Sequence, residues 1–413
     1  MTELNIINLF CGMGGDELGI RGAVYTDLKM AYRGLSINHW DVAVATMRAN
    51  FPNVKTLDCK IEEAVPGDLV PWGTVVQVLW ASRSCTHHSR AKGGRPRSNQ
   101  LRSQPEYVVT WASQVRPRVI IVENVPEFVE WGPLDSEGKP DRAHKGETFK
   151  AWVKMIESLG YNVEHRVLCC ADYGDATSRR RFFLIAVRRD VGVPVWPEPT
   201  HGDHVPGLPQ WRGAGECIDL SNLGRSIFGR PRPLAEKTLA KLANGARKYW
   251  GLDITTETLV RACSGKRTKP LPTQTTKARP SMVTLVLGQH GAAACRPATE
   301  PVPTVACKGA VRMIEPIVID NANGGVICGS HEPLNTVTLK DQRMMALPVL
   351  EDGRRIDIFM RMLTPRELAR AHSVPDDFII TGNKTEQTKQ IGNSVPVRTA
   401  RALVRTLLER YTK

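Results

Sequence analysis

Cys85 stands where a strand should hand its chain to a reactive loop. The apolar run Val75-Val76-Gln77-Val78-Leu79-Trp80-Ala81-Ser82 predicts a buried strand, and it stops in the polar stretch Arg83-Ser84-Cys85-Thr86-His87-His88-Ser89-Arg90. In open α/β sheets the chemistry lies just beyond the carboxyl ends of such strands. A cysteine there can act as a nucleophile if its surroundings hold the thiolate. The chain has ten cysteines, and a small buried hydrophobe is the competing reading for any one of them. A second strand candidate, Val119–Val122, ends at Glu123-Asn124-Val125-Pro126, which puts a carboxylate in position for acid/base work. Farther on, Thr177-Ser178-Arg179-Arg180-Arg181 opens a strand. Alternate residues of a strand share a face, so Arg179 and Arg181 point together and Arg180 points away. Two convergent guanidiniums suit a phosphate or a base carbonyl, whereas a solvated sheet edge is the plainer reading.

The elements that must position these groups follow from periodicity. Up to about residue 190, strand candidates at Asn5–Phe10, Leu35–Asn38, Val54–Leu57, Val75–Ala81, Val119–Glu123, His165–Cys169 and Phe182–Val187 alternate with helical stretches. The helix candidates are Asp16–Arg33, Trp40–Asn50, Glu106–Val115 and Glu147–Leu159. Such alternation predicts βαβ units, hence an α/β fold with a doubly wound, mostly parallel sheet. The first strand runs into Phe10-Cys11-Gly12-Met13-Gly14-Gly15 and then a helix, and those glycines allow a ligand close to the backbone and to helix N-terminal amides. The third glycine is off the usual dinucleotide offset, and Phe10 could stack on an adenine or belong to the core.

Length and charge bound the rest. A chain of 413 residues supports two domains. A formal charge of +14 and a pI near 9.4 favour a polyanionic partner, nucleic acid before an anionic membrane surface. No apolar run is long enough to span a bilayer, and the N-terminus carries no basic leader, so a cytoplasmic protein is expected. The cysteines lack zinc-type spacing, so no metal is expected. From about 196 to 354 the sequence becomes rich in Gly, Pro and Thr, and a unit recurs with a period of roughly thirty residues. Its copies begin at Lys269-Pro270-Leu271-Pro272-Thr273, Glu300-Pro301-Val302-Pro303-Thr304 and Glu332-Pro333-Leu334-Asn335-Thr336, followed by Lys277, Lys308 and Lys340. That pattern predicts a smaller, β-rich domain presenting loops and cations to a large ligand. Near the end, Thr364-Pro365-Arg366-Glu367 predicts a capped helix start. A basic-sided core helix should begin at about Val395.

Together these pieces carry a resemblance. The Phe-x-Gly-x-Gly-Gly loop, the Cys after the fourth strand, Glu-Asn-Val after the fifth, the Arg-x-Arg strand, the variable middle and Gln390-Ile391-Gly392-Asn393-Ser394-Val395 match the C5-cytosine-specific DNA methyltransferases in order and spacing. The likeness covers both flanks, 1–195 and 355–413, as a Rossmann-like catalytic domain, with 196–354 in the place of the target recognition domain. Asn38-His39-Trp40 and the run from Cys85 to Gly94 further resemble a phage and bacterial branch. The resemblance implies double-stranded DNA as partner, a monomer acting on it, and methyl transfer from S-adenosylmethionine to a flipped-out cytosine. Residue by residue, it implies that Cys85 attacks C6, that Glu123 holds the base at N3 and the exocyclic amine, and that Arg181 with Arg179 contacts the base carbonyl and a phosphate. It further implies that Phe10, Gly12, Gly14, Gly15, Asn38, Asp58 and Asn393 line the cofactor site, with Arg83 close to the transferred group. Apart from the resemblance, Lys92, Arg95, Arg97 and Arg102 follow Cys85 in a Gly/Ser/Pro-rich stretch that reads as a mobile loop closing over the base, with a merely solvated loop as the competing reading.

Four departures stand out: Ser84 replaces the usual Pro before the cysteine, Asn38 and Asn8 replace acidic residues, and Thr177 replaces a Gln. With Arg83 beside the reacting group and fewer carboxylates, the pocket could instead accept carboxy-S-adenosylmethionine, which would make the product a carboxymethylated cytosine. The same residues also fit a tRNA cytosine methyltransferase or a catalytically inactive DNA-binding homologue.

Overall fold

Five short apolar runs pair side by side in one direction because each is followed by a crossover long enough to bring the chain back to the same edge. The computed structural model describes residues 3–82, 104–136, 138, 140–250, 254–264, 271–272, 285–286, 296–297, 317–320, 327–329, 331–334, 343–351 and 355–412. Strands β1 (Glu3–Leu9), β2 (Ala31–Asn38), β3 (Val54–Asp58), β4 (Val78–Ser82), β5 (Val119–Asn124), β6 (Tyr161–Cys169) and β7 (Arg180–Arg188) form one sheet in the order β3-β2-β1-β4-β5-β7-β6. The first five are mutually parallel, and β7 inserts antiparallel between β5 and β6. The order reverses at β1, which is where such a sheet opens a crevice for ligands.

Both faces of the central strands are covered, as a parallel sheet requires. All six residues of β5 are buried. Ile7, Leu9, Leu79, Ala81, Ile120, Val122, Phe182 and Leu184 join one core with Val108, Trp111 and Ala112 of helix Gln104–Val115 and with Phe149, Trp152 and Ile156 of helix Glu147–Ser158. The intervening residues, among them Ile6, Trp80, Ile121 and Phe183, are buried as well and belong to the opposite face. Helix α1 (Gly15–Arg21) and the closing helix Val397–Tyr411 pack on each other, with Ala400 meeting the place where a side chain on Gly19 would sit. The closing helix is anchored from a distance: Asp175 accepts the backbone N–H groups of Arg398 and Thr399 at 3.2 and 3.0 Å and the Thr399 hydroxyl at 2.7 Å.

Several boundaries differ from the sequence expectation. The stretch Asp16–Arg33 is not one helix: α1 ends at Arg21, a wider turn covers Gly22–Asp27, and β2 begins at Ala31. Pairing of Glu3–Leu9 with Ala31–Ile37 takes those residues out of the helix. The fourth strand starts at Val78 rather than Val75, whose side chain is exposed.

The chain divides into two compact units, one with Met1–Trp211 and Leu368–Lys413 and the other with Arg212–Asn335 and Asp341–Glu367. The second unit holds an antiparallel sheet ordered Ile327–Gly329, Ile317–Asp320, Arg343–Glu351, Arg355–Met362 and Arg225–Ser226. Two helices that the Gly/Pro-rich composition concealed, Glu236–Gly245 and Thr256–Ser264, bury Leu239, Leu242, Ala243 and Leu259 with Ile317, Ala346 and Ile358. The predicted capping box forms: Glu367 accepts the Thr364 N–H at 2.7 Å and its own N–H reaches the Thr364 hydroxyl at 3.3 Å. Most of the repeated segment, with Lys277, Lys308 and Lys340, lies outside the described residues.

Candidate active site

The carboxyl ends of β1 to β5 put the candidate residues along one edge of the sheet. Glu123, next to last in β5, pairs in register with Ser82, the last residue of β4. Across the antiparallel join it faces Phe183 of β7, two residues beyond Arg181. Arg181 Nε lies 3.0 Å from Glu123 Oε1, and both side chains are almost wholly buried. The N–H is not aligned on that oxygen, so the two atoms attract by charge while neither has a hydrogen-bond partner among the described residues. Burial raises the Glu123 carboxyl, while the Arg181 and Arg179 guanidiniums pull it back down without cancelling the effect. Glu123 is therefore a buried acid whose proton is held more tightly than usual, beside a fixed cation.

The alternation expected of the arginines holds. Arg179 and Arg181 are 1% and 7% exposed, whereas Arg180 faces solvent. Arg179 donates to the Gly392 carbonyl at 3.0 Å, so the strand is tied to the Gln390–Val395 segment more than two hundred residues on. That tie makes Arg179 a clamp on the segment that carries Asn393, the last residue of helix Lys384–Asn393.

The glycine loop joins the same segment from the other side. A side chain on Gly15 would run into the Ser394 hydroxyl and the Val395 carbonyl, so only glycine lets α1 approach so closely. Gly12 has φ +54 and open space where a side chain would be, which leaves a cradle at the loop's outer surface. Phe10 also adopts a left-handed backbone, at φ 62, an outlier for a bulky residue, with its ring half-buried against the core beneath. Asn38 closes the loop by donating to the Gly12 carbonyl at 3.4 Å and accepting the Trp40 N–H at 3.1 Å. Asp58 is the register partner of Asn38 at the end of β3 and is exposed. The structure thus gathers Phe10, Gly12, Gly14, Gly15 and Asn38 at one loop, with Asp58 beside Asn38 on the neighbouring strand and Asn393 directly before Ser394, the residue that Gly15 approaches. Cys85, Arg83, Lys92, Arg95, Arg97 and Arg102 lie outside the described residues, Cys85 three positions beyond the end of β4.

One group here was not anticipated from sequence. Asp16 and Glu17, in the first turn of α1, are both buried. Glu17 is fully engaged: the Tyr32 hydroxyl donates to it at 2.5 Å, the Asn8 amide at 3.3 Å and the Ser36 hydroxyl at 3.4 Å. Burial raises the Asp16 carboxyl to about 7, and the Glu17 charge beside it adds to the effect. Two carboxylates opening a helix read from sequence as exposed partners of the helix dipole. Only the packing of α1 onto β1 and β2 reveals them as interior. Among the described residues, no cluster of His, Cys, Asp or Glu could hold a metal ion, and no helix is long and apolar enough to cross a membrane.

Known proteins share this plan. The family model for the C-5 cytosine-specific DNA methylases matches residues 4–409. The chain is 25% identical to the type II methyltransferase M.SacI of Streptomyces achromogenes, over 98% of its own length and 93% of the relative's. It is 27% identical to M.XorII of Xanthomonas oryzae, over 98% and 84% of the two lengths. Among solved structures, a candidate DNA modification methyltransferase encoded within an E. coli prophage superposes with a TM-score of 0.53 at 16% identity, covering 99% of this chain and all of that one. A DNMT2 variant from Spodoptera frugiperda gives 0.51 at 14% identity, with the same coverage. At such identities the structural likeness speaks for the fold.

Proposed function

As this chain belongs to the C-5 cytosine-specific DNA methylase family and is a DNA (cytosine-5-)-methyltransferase, we propose that it works through a covalent bond from Cys85 to C6 of a cytosine flipped out of double-stranded DNA. The observation that carries this reading is the buried Glu123–Arg181 pair, set beside the end of the strand that leads to Cys85. Cytosine C5 is a poor nucleophile until a thiolate adds at C6 and pushes electrons into the ring. That addition needs a proton or a strong hydrogen bond at N3. Glu123, with its proton affinity raised by burial, can supply one, and Arg181 keeps its conjugate base compensated. Arg181 also has donors left for the base carbonyl, while Arg179 holds the Gln390–Val395 segment in place. Flipping is required because the reacting atoms are out of reach inside a duplex. The charge of +14 supports phosphate contacts, and with them salt-dependent binding. Loops of residues 196–354 are the proposed readers of bases, and the proposed compartment is the cytoplasm, with the protein acting as a monomer on DNA.

S-adenosylmethionine, when bound, would supply the methyl group. The loop fits such a molecule: Gly12 leaves an open cradle, and the buried Asp16 Oδ2 and Asn8 Oδ1 have no hydrogen-bond partner among the described residues. Phe10, Gly12, Gly14, Gly15, Asn38, Asp58 and Asn393 are the residues to hold it, with Arg83 as a neighbour. Asp16 and Glu17 lie buried beside Asn8, so the neutral side chain there does not leave the pocket short of negative charge. That favours S-adenosylmethionine over its carboxylated relative. The test is a DNA duplex carrying 5-fluorocytosine, incubated with the protein and S-adenosylmethionine. A covalent complex should form and should vanish in Cys85→Ala; no complex with any fluorinated sequence that bisulfite mapping shows to be methylated would overturn the mechanism.

A further inference from the structure

The Asp16 carboxylate has a surplus that the fold does not resolve. Its Oδ1 accepts the Glu17 N–H at 2.9 Å, but its Oδ2 meets no donor among the described residues, although the side chain is only 2% exposed. Asn8, 1% exposed on β1, leaves its own Oδ1 without a donor too. Ser82, at the end of β4, and Asn8 are close enough to Asp16 to ease its charge, which fixes the carboxylate at the carboxyl ends of β1 and β4. Asn8 and Ser82 bring neutral donors toward Asp16, but none is aligned on Asp16 Oδ2 or on Asn8 Oδ1, and buried acceptors are costly to leave so weakly met. They are best answered by a ligand that brings N–H groups and positive charge together.

The groups acting on Asp16 point the same way. Glu17 follows it on α1, the buried Cys11 thiol lies in the glycine loop, and Asn8 and Ser82 approach from the two strands. None of these is a cation. Glu17 has Tyr32, Asn8 and Ser36 as donors and needs nothing more. S-adenosylmethionine carries two positive centres, a sulfonium with no hydrogen to donate and an ammonium with three. Only the ammonium can satisfy oxygen acceptors by hydrogen bonding.

We infer that Asp16, with Asn8 Oδ1 beside it, receives the ammonium group at the amino-acid end of the cofactor. The inference rests on the cofactor reading above and adds a specific residue to it. Ionised Asp16 is then the binding form, so affinity increases as pH rises through the range in which this raised carboxyl gives up its proton.

Calorimetric titration of the full chain, without DNA, tests this with S-adenosylmethionine, S-adenosylhomocysteine and the desamino analogue of the latter. Asp16→Asn should weaken the two ammonium-bearing ligands by about tenfold to a hundredfold and leave the desamino analogue unchanged. Between pH 6 and 7.5 the wild-type affinity for S-adenosylhomocysteine should rise several-fold, and that of the variant should stay flat. The amide removes a buried charge, so the variant's melting temperature at pH 7.5 should be no lower than that of the wild type; Asp16→Ala provides a second variant with the same expected ligand pattern. Equal losses for all three ligands, an unchanged affinity in Asp16→Asn, or a pH response that survives the substitution would each overturn the assignment. If the wild type binds none of the three, the cofactor reading itself falls and takes this inference with it.

Discussion

Two buried carboxyl groups sit on the same edge of one sheet in opposite electrostatic settings. Glu123 at the end of β5 has a guanidinium 3.0 Å away and a second one contributing from Arg179. Asp16, beside the glycine loop, has another carboxylate as its neighbour and an oxygen with no donor among the described residues. Both are pushed toward the protonated form by burial, yet only Glu123 has its charge answered by the protein. A carboxyl with a built-in cation can exchange a proton with a neutral ring and remain tolerable in either state. A carboxyl without one is tolerable when charged only if a ligand brings the cation. Under the proposed function, the sheet edge divides into a half that serves the base and a half that serves a positively charged cofactor.

Removing the cation from the first half should produce the largest effect. Arg181→Met strands the Glu123 carboxylate without its partner and should cost about 3–5 kcal/mol of unfolding free energy at neutral pH. Adding Glu123→Gln should recover most of that loss, as measured by urea denaturation of the single and double variants. Single-variant stability within about 0.5 kcal/mol of wild type would place Arg181 among weakly coupled surface charges and dissolve the contrast with Asp16.

The second half should show itself in the pH dependence of stability. Asp16 is raised from 3.8 to about 7 and Asp175 from 3.8 to about 6, in both cases chiefly by burial. In the folded state each keeps its proton over a range in which the unfolded chain has lost it. The stability they add is therefore complete below about pH 4 and disappears as pH climbs through 6 and then 7. Each can contribute a slope approaching about 1.4 kcal/mol lost per pH unit within its window. Asp16→Asn should flatten the unfolding midpoint between pH 6 and 7, leaving the Asp175 portion at lower pH. An unaltered profile would show that Asp16 is solvated rather than interior.

A smaller effect concerns the contact that both halves share. The Gln390–Val395 segment is held by Arg179 on one side and by the close approach of Gly15 on the other. Gly15→Ala puts a methyl group onto the Ser394 hydroxyl and the Val395 carbonyl and should cost about 1–3 kcal/mol. If the segment serves the cofactor half, the same variant should also weaken S-adenosylhomocysteine, whereas the Glu123–Arg181 pair should keep its stability contribution. Calorimetry and denaturation of the one variant decide between these effects.

Much of this arrangement was legible in the sequence. β1, β3 and β5 were expected within two residues of where they lie, because each is an apolar run bounded by turn-forming residues. The facing of Arg179 and Arg181 followed from strand geometry alone. The end of α1 did not, since nothing local in Gly22–Arg33 forbids a helix, and pairing with β1 decides the matter. Helices Glu236–Gly245 and Thr256–Ser264 did have a periodic apolar signal, at Leu239, Leu242 and Ala243, but the surrounding glycines and prolines obscured it. Asp16 was missed for a different reason: its chemistry comes from burial, and a sequence names a carboxylate without saying how much water it will keep.

By itself, then, the order of residues determined the α/β class, the positive charge, the glycine loop and the candidate side chains proposed to act on cytosine. Those depend on periodicity, composition and residue type, which are local quantities. The tertiary structure alone decided that Glu123 meets Arg181, that Arg179 reaches Gly392, that Gly15 must yield to Ser394, and that Asp16 is interior and short of a donor. These facts join residues far apart in the chain, and their energies come from solvent exclusion and close approach, which exist only once the sheet has assembled.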